Sequence, residues 1–182
     1  AETKLAFTTE RLIGSYRIGD DWRCVGPLLT PAPPSAPRAD RPLVYVCFGT
    51  AFKTRPELFK AVIMGLADQP LDVLISAGDG MVGRAERGPL PANVTVRSFV
   101  SAREVLSRAS VHITHGGCNS VHESLLAGVP MVCLPQDLDQ LPLSRNIEIL
   151  GAGILTEQEP VEIRQAVSFL LSSEKAAQRT RE

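Results

Sequence analysis

No two cysteines of this chain form a C-x-x-C pair, which argues against a zinc ribbon or a disulfide framework. The four are Cys24, Cys47, Cys118 and Cys133. Cys47 and Cys133 sit inside apolar, strand-like runs, where cysteine behaves as a small buried hydrophobe. The set fits a reducing cytoplasm. Neither sign of charge dominates, since 19 Lys and Arg face 20 Asp and Glu for a formal net charge of -1. Without a basic cluster, nucleic acid and anionic membrane surfaces are poor partners. No apolar run approaches the roughly 18 residues of a membrane span, and the first residues do not read as a signal peptide. No internal repeat is visible. What remains is globular: 44% hydrophobic and 21% charged over 182 residues, enough for one domain with a real core. The chain begins at Ala1 and stops in a charged helical stretch, so it is expected to be a piece of something longer.

A proline-rich stretch, PAPPSAPRADRP (31–42), separates two textures. Proline at this density joins neither a helix nor a central strand, so it reads as an extended linker. Residues 1–30 give at most two short strands and no core of their own. After the linker, apolar runs at 43–48, 71–76, 93–99, 110–114, 131–135 and 152–155 predict six strands. Helices are expected between them, near 56–68, 101–109, 119–127, 138–150 and 160–173. Ser101 and Glu104 supply an S-x-x-E capping box. Strands that are apolar throughout and alternate with helices imply a parallel sheet covered on both faces. The expected fold is therefore α/β, a doubly wound, Rossmann-like parallel sheet whose ligands bind beyond the carboxyl ends of the strands.

Two tempting motifs fail on their context. GDGMVG (78–83) is literally G-x-G-x-x-G, but it runs into the turn-rich RAERGPLPAN instead of a helix, so NAD is not implied. HITHGGCNSVHESLLAGVPMVCLP (112–135) combines His112, His115, His122 and Cys118. A zinc site is not supported, since His112 lies within a strand and His115 just past its end, and no second acidic or cysteine pair completes a tetrahedral set. A Cys118 nucleophile with His115 or His122 as base is possible chemistry, against the plainer reading of a cysteine that fits a tight turn. Phosphate explains more residues. The strand ends at Thr114, turns through His115-Gly116-Gly117, and a helix opens near Asn119 or Ser120. Glycines let backbone approach a bulky anion, and free N–H groups plus the helix dipole favour negative charge there. Thr50, in FGTAF past the first strand, lies at the same sheet edge and offers a hydroxyl donor. Glu123, one turn into the helix, is too far along to favour phosphate and would suit a hydroxylated neighbour such as ribose.

The ordered set YVCFGTAF, THGGCNSVHESLLAGVPMVCLP, the DQ of LPQDLDQL and LGAGI resembles the C-terminal, donor-binding domain of the family-one nucleotide-sugar glycosyltransferases of the GT-B fold. Bacterial natural-product enzymes of the macrolide type come nearest in texture. The resemblance covers roughly residues 43–155. It implies that His115, Gly116, Gly117, Asn119, Ser120 and Thr50 bind the diphosphate. Phe99, Val100 and Glu123 would hold the nucleoside, with Glu123 accepting from the ribose hydroxyls. Asp139 and Gln140 would hold the transferred sugar, as carboxylate acceptor and two-way amide. It further implies residues 1–30 as the tail end of an N-terminal acceptor domain, 31–42 as linker and 43–182 as the donor-binding domain.

On the same resemblance the donor is a UDP-sugar or dTDP-sugar, with no further cofactor and no metal. The acceptor is a small molecule held by the N-terminal domain, which also carries the catalytic base, so this chain is expected to bind donor without turning over alone. A homodimer is compatible with it. Phe99 stands where many relatives place a base-stacking Trp, and Ser101-Ala102 where they place Pro-Gln. Leu143 stands where they often carry Asn. Relatives using dTDP-deoxysugars often lack the acid found at Glu123, which favours UDP. Two other readings stay open, a GT-B GlcNAc transferase of a lipid intermediate and a non-catalytic nucleotide-sugar-binding homologue.

Overall fold

The computed structural model describes residues 3–14, 19–30, 41–49, 55–78 and 89–181. The linker over 31–40, Thr50 and the greater part of the glycine loop after Gly78 lie outside the described residues. The chain opens with strand β1 (Lys4–Ala6), helical turn α1 (Glu10–Ile13) and strand β2 (Trp22–Cys24). β1 and β2 pair in parallel as a separate two-stranded ribbon. The main unit then runs β3 (Leu43–Cys47), α2 (Pro56–Leu66), β4 (Asp72–Ser76), β5 (Val94–Arg97), α3 (Ala102–Leu106) and β6 (Val111–Thr114). It continues through α4 (Cys118–Ala127), β7 (Met131–Cys133), α5 (Leu141–Ile149), β8 (Gly153–Leu155), α6 (Pro160–Ser172) and α7 (Glu174–Arg181).

The six later strands form one sheet in the order β5-β4-β3-β6-β7-β8, and every pair is parallel. The chain enters at the centre, winds outward to β5, then returns to lay β6 against the other side of β3. That reversal leaves a crevice between the carboxyl ends of β3 and β6, the place where doubly wound sheets bind ligands.

Alternation along β3 assigns the two faces. Val44 and Val46 enter one core with Phe59 and Val62 of α2 and Ile163 and Val167 of α6. Phe48 meets Phe59 edge-on, with ring centroids 5.2 Å apart. Tyr45 points the other way and packs with Val105, Leu106 and Val129, while Leu43 and Cys47 flank it. Beside that cluster, Val121, Met131, Cys133 and Ile147 form a third group, which takes in Leu12 from α1. Each fully buried aliphatic contributes about 1.5–3 kcal/mol relative to exposure. Leu12 thus fastens residues 3–14 onto the sheet domain, helped by Asn146, whose Nδ2 donates to the carbonyls of Leu12 at 3.0 Å and Ile13 at 2.9 Å.

Among the helix ends that differ from the sequence expectation, three have a clear local reason, while α3 also stops at Leu106, short of 109. α2 stops at Leu66 short of Asp68, whose φ of 57° is incompatible with continuing the helix. α5 begins at Leu141, three residues later than expected, where Pro142 occupies its first turn. α4 begins at Cys118, a residue or two earlier than expected, because Gly117 itself is the N-cap. Ser101 accepts from the Glu104 N–H at 3.4 Å, one arm of the expected capping box. Among the described residues no helix is long and apolar enough to cross a membrane.

Candidate functional site

At the crevice between β3 and β6 lies a cavity of about 560 Å³. Its lining includes Gly49 after β3, Phe99 and Val100 before α3, and His115, Gly117, Asn119, Ser120 and Glu123 from the β6–α4 turn and helix. These segments lie 15 to 74 residues apart in the chain, and the strand order alone makes them neighbours.

The N-terminus of α4 faces this cavity without a cap. Gly117 supplies no side-chain hydrogen bond, and no acidic residue occupies the first turn. The first N–H groups of a helix have no partner within it, and aligned peptide dipoles place about half a positive charge there. An uncapped, acid-free N-terminus opening into a cavity has the chemistry to receive an anion.

His115 is clamped at the entrance. A Cβ on Gly49 would approach its Cε1 to 2.9 Å, and a Cβ on Gly117 would strike its Nε2. The ring is 8% exposed, and its Nδ1 has no hydrogen-bond partner. Burial pushes its pKa down, opposed by the nearby Asp139 carboxylate. The imidazole is therefore neutral near pH 7 and has an unspent polar atom.

Gly116 has a φ of 82°, and a Cβ there would run into the Ser144 hydroxyl. That close approach lets the β6–α4 turn lie against the start of α5, where Ser144 Oγ donates to the Gln140 carbonyl at 2.9 Å. Asp139 and Gln140 are thereby brought next to the His115 turn, although neither they nor Gly116 are among the residues lining the cavity. Asp139 is exposed, whereas Gln140 is 2% exposed and its Oε1 accepts from the Gln136 N–H at 2.8 Å. Gln140 thus holds its own loop with one end of its amide.

Glu123 lines the cavity half-buried, and burial pushes its carboxyl pKa up. Phe99, by contrast, presents an aromatic face that is 75% exposed. Sequence reading missed Tyr45, Cys47, Ser76 and Arg103, which also line the cavity. Tyr45 and Cys47 are two apart on β3, and Cys47 pairs in register with Ser76 of β4. That adjacency depends on strand order, which no local pattern encodes. Burial first, then the neighbouring Cys47 and least of all Glu123, pushes the Tyr45 hydroxyl well above its usual range, so it stays protonated as a donor. Arg103 alone had a signal, as a cation directly behind Ser101-Ala102.

The thiol alternative finds a contact, Cys118 Sγ lying 3.4 Å from His122 Nδ1, but not an activated thiolate. Burial pushes the Cys118 thiol up. His122 Nδ1 lies 2.8 Å from the Cys118 carbonyl and so donates to it, leaving Nε2 to accept from Thr8 Oγ1 at 3.1 Å. His122 therefore works as a tie to the N-terminal segment. Among the described residues no group of three or more His, Cys, Asp or Glu is placed to hold a metal ion.

Residues 67–181 match the family described as erythromycin biosynthesis protein CIII-like, C-terminal domain. The NDP-glycosyltransferase YjiC of Bacillus subtilis is 34% identical over 145 residues, covering 78% of this chain and 37% of that protein. Demethyllactenocin mycarosyltransferase of Streptomyces fradiae is 38% identical over 117 residues, covering 64% of this chain and 25% of that protein. Among solved structures, the calicheamicin glycosyltransferase CalG4 superposes with a TM-score of 0.79 at 30% identity, covering 98% of this chain and 46% of that one. The chain thus spans a quarter to under half the length of these relatives.

Proposed function

The chain belongs to the erythromycin biosynthesis protein CIII-like family of glycosyltransferase C-terminal domains, and from that membership we propose that it is the donor-binding part of a nucleotide-sugar-dependent glycosyltransferase. The donor is a UDP-sugar and the acceptor a small natural product. The observation that carries this reading is one cavity uniting an uncapped helix N-terminus and a neutral His115 with Glu123 and an exposed Phe99. In it the diphosphate rests on the first turn of α4, touched by His115, Asn119 and Ser120. The ribose hydroxyls donate to Glu123, and the base lies on Phe99 beside Val100. Thr50 adds a hydroxyl donor to the phosphates. Asp139 accepts from the hydroxyls of the transferred sugar, with the free end of the Gln140 amide beside it.

In the reaction an acceptor nucleophile attacks the anomeric carbon, its proton passes to a base outside this chain, and the bond to the diphosphate oxygen breaks. Negative charge grows on that leaving oxygen. Fixed N–H dipoles of α4 and the His115 imidazole meet it without reorganising, which is how a preorganised site lowers such a barrier. The family arrangement further suggests 1–30 as the tail of the acceptor domain, 31–42 as linker and 43–182 as donor domain. UDP is preferred to dTDP on the strength of Glu123, which only a 2′-hydroxylated sugar uses fully.

Calorimetric titration with UDP, dTDP and their sugars tests the reading. Binding of a nucleoside diphosphate, weakened by His115→Ala and by Glu123→Ala, is the expected result. Failure of every nucleoside diphosphate to bind the wild-type chain overturns it.

A further inference from the structure

His112 is absorbed by none of the roles above, yet it is 1% exposed and lies on the strand that leads into the site. Its ring stacks on Tyr45 with centroids 4.9 Å apart and planes 18° from parallel. Its Nδ1 lies 2.6 Å from Ser124 Oγ, and that hydroxyl donates to the Ser120 carbonyl at 2.9 Å. A serine hydroxyl has one proton. Since Ser124 places it on Ser120, the 2.6 Å contact requires Nδ1–H of His112 to be the donor. The tautomer is thereby fixed, and Nε2 is left buried as a lone pair without a partner.

We propose that His112 and Ser124 form a buried positioning pair that sets the rotation of α4 against the sheet, and with it the aim of Ser120 and Glu123 at the donor. The inference rests on reading the α4 N-terminus as the diphosphate site. Its argument begins with the cap. Gly117 leaves the first turn free for an anion and, for the same reason, leaves that end of the helix untethered by any side-chain cap. The hydrogen-bonded chain His112–Ser124–Ser120 ties the helix to β6 instead, ending on the residue that lines the cavity. His122, two residues before Ser124 and so roughly 200° round the helix, bonds Thr8 and cannot do the same on the sheet side.

An apolar residue at 112 would fill the space and avoid the unpartnered Nε2. That the chain places a donor there, opposite a serine inside a helix, is what a directional tie requires and packing does not. Burial holds the ring neutral, with its pKa lowered to about 3, so the tie persists through the physiological range.

The test compares His112→Asn, whose amide nitrogen falls near Nδ1, with His112→Gln, whose amide nitrogen falls near Nε2. Both lose the ring, so a purely structural role lowers Tm in both and leaves UDP affinity alike. A positioning role separates them: His112→Gln weakens UDP binding about tenfold, and His112→Asn recovers to within about threefold of wild type. Equal affinities overturn the proposal. Ser124→Ala, which leaves the ring in place, is expected to weaken UDP about fivefold with unchanged circular dichroism, and unchanged affinity likewise overturns it. Long-range proton–nitrogen spectra of the wild type should show His112 protonated on Nδ1, and an Nε2–H tautomer overturns the pair. Wild type that binds no UDP removes the diphosphate reading and this inference with it. Wild type that binds while the variants stay indifferent removes only this one.

Discussion

A methyl group on Gly117 would fall on the Nε2 of His115, while the Gly117 backbone itself, with φ of -67° and ψ of 146°, is open to any residue. Gly117→Ala is therefore a steric probe free of backbone strain. It should displace the imidazole and weaken UDP binding about tenfold or more, the scale of a lost charge-assisted hydrogen bond. Losing a glycine N-cap for alanine should cost only about 1 kcal/mol of stability. Calorimetry beside urea unfolding separates the two; undiminished affinity would remove His115 from the diphosphate site.

The ribose assignment predicts discrimination at a single hydroxyl. Wild type should bind UDP about fivefold to tenfold more tightly than 2′-deoxy-UDP, because the half-buried Glu123 acceptor is left unpaired by the deoxy sugar. Glu123→Ala should bring the two affinities together. Equal affinities in the wild type would take Glu123 off the ribose.

Proton uptake should accompany nucleotide binding. Free His115 is held neutral by burial, with its pKa below the usual histidine value. A bound diphosphate favours the imidazolium and raises that pKa. The bound state then holds more protons than the free state between the two pKa values, so affinity rises as pH falls through that window. Calorimetry in buffers of different ionisation enthalpy should register the uptake, and His115→Gln should abolish it. Buffer-independent heats in the wild type would contradict it.

Acid should destabilise the fold through His112. Its pKa is lowered from 6.5 to about 3 by burial, so the unfolded chain takes up a proton that the folded chain refuses. That contribution is whole above pH 6.5 and is lost progressively as pH falls toward 3, at up to about 1.4 kcal/mol per unit. His115 and His122 are lowered in the same direction while less deeply buried. Urea midpoints should fall between pH 7 and 5, and His112→Phe should fall less over that interval, by about 2 kcal/mol. Parallel pH profiles for the two proteins would contradict the assignment.

Much of the fold could be read from local pattern. Runs such as Leu43–Cys47 and Val111–Thr114 are buried on both faces because helices cover both sides of the sheet. The ends of α2 and α5 were misread because Asp68 and Pro142 act through backbone dihedrals, whereas apolar periodicity carries no such information. In the site, residues within HGGCNSVHE were legible because strand, turn and helix follow one another without interruption. Tyr45 and Ser76 were not, since they reach the cavity by strand pairing across 31 positions of sequence.

His112 marks the same division. Sequence by itself determined a parallel α/β sheet, a glycine turn feeding a helix, and an acid one turn along, because these follow from residue type and short-range spacing. Only the tertiary structure decided that Gly49 and Gly117 clamp His115, that Gln140 spends one end of its amide on its own loop, and that Ser124 fixes the tautomer of His112. The physical reason is that hydrogen bonds and steric contacts are set within about 3.5 Å, a scale that sequence separation does not encode.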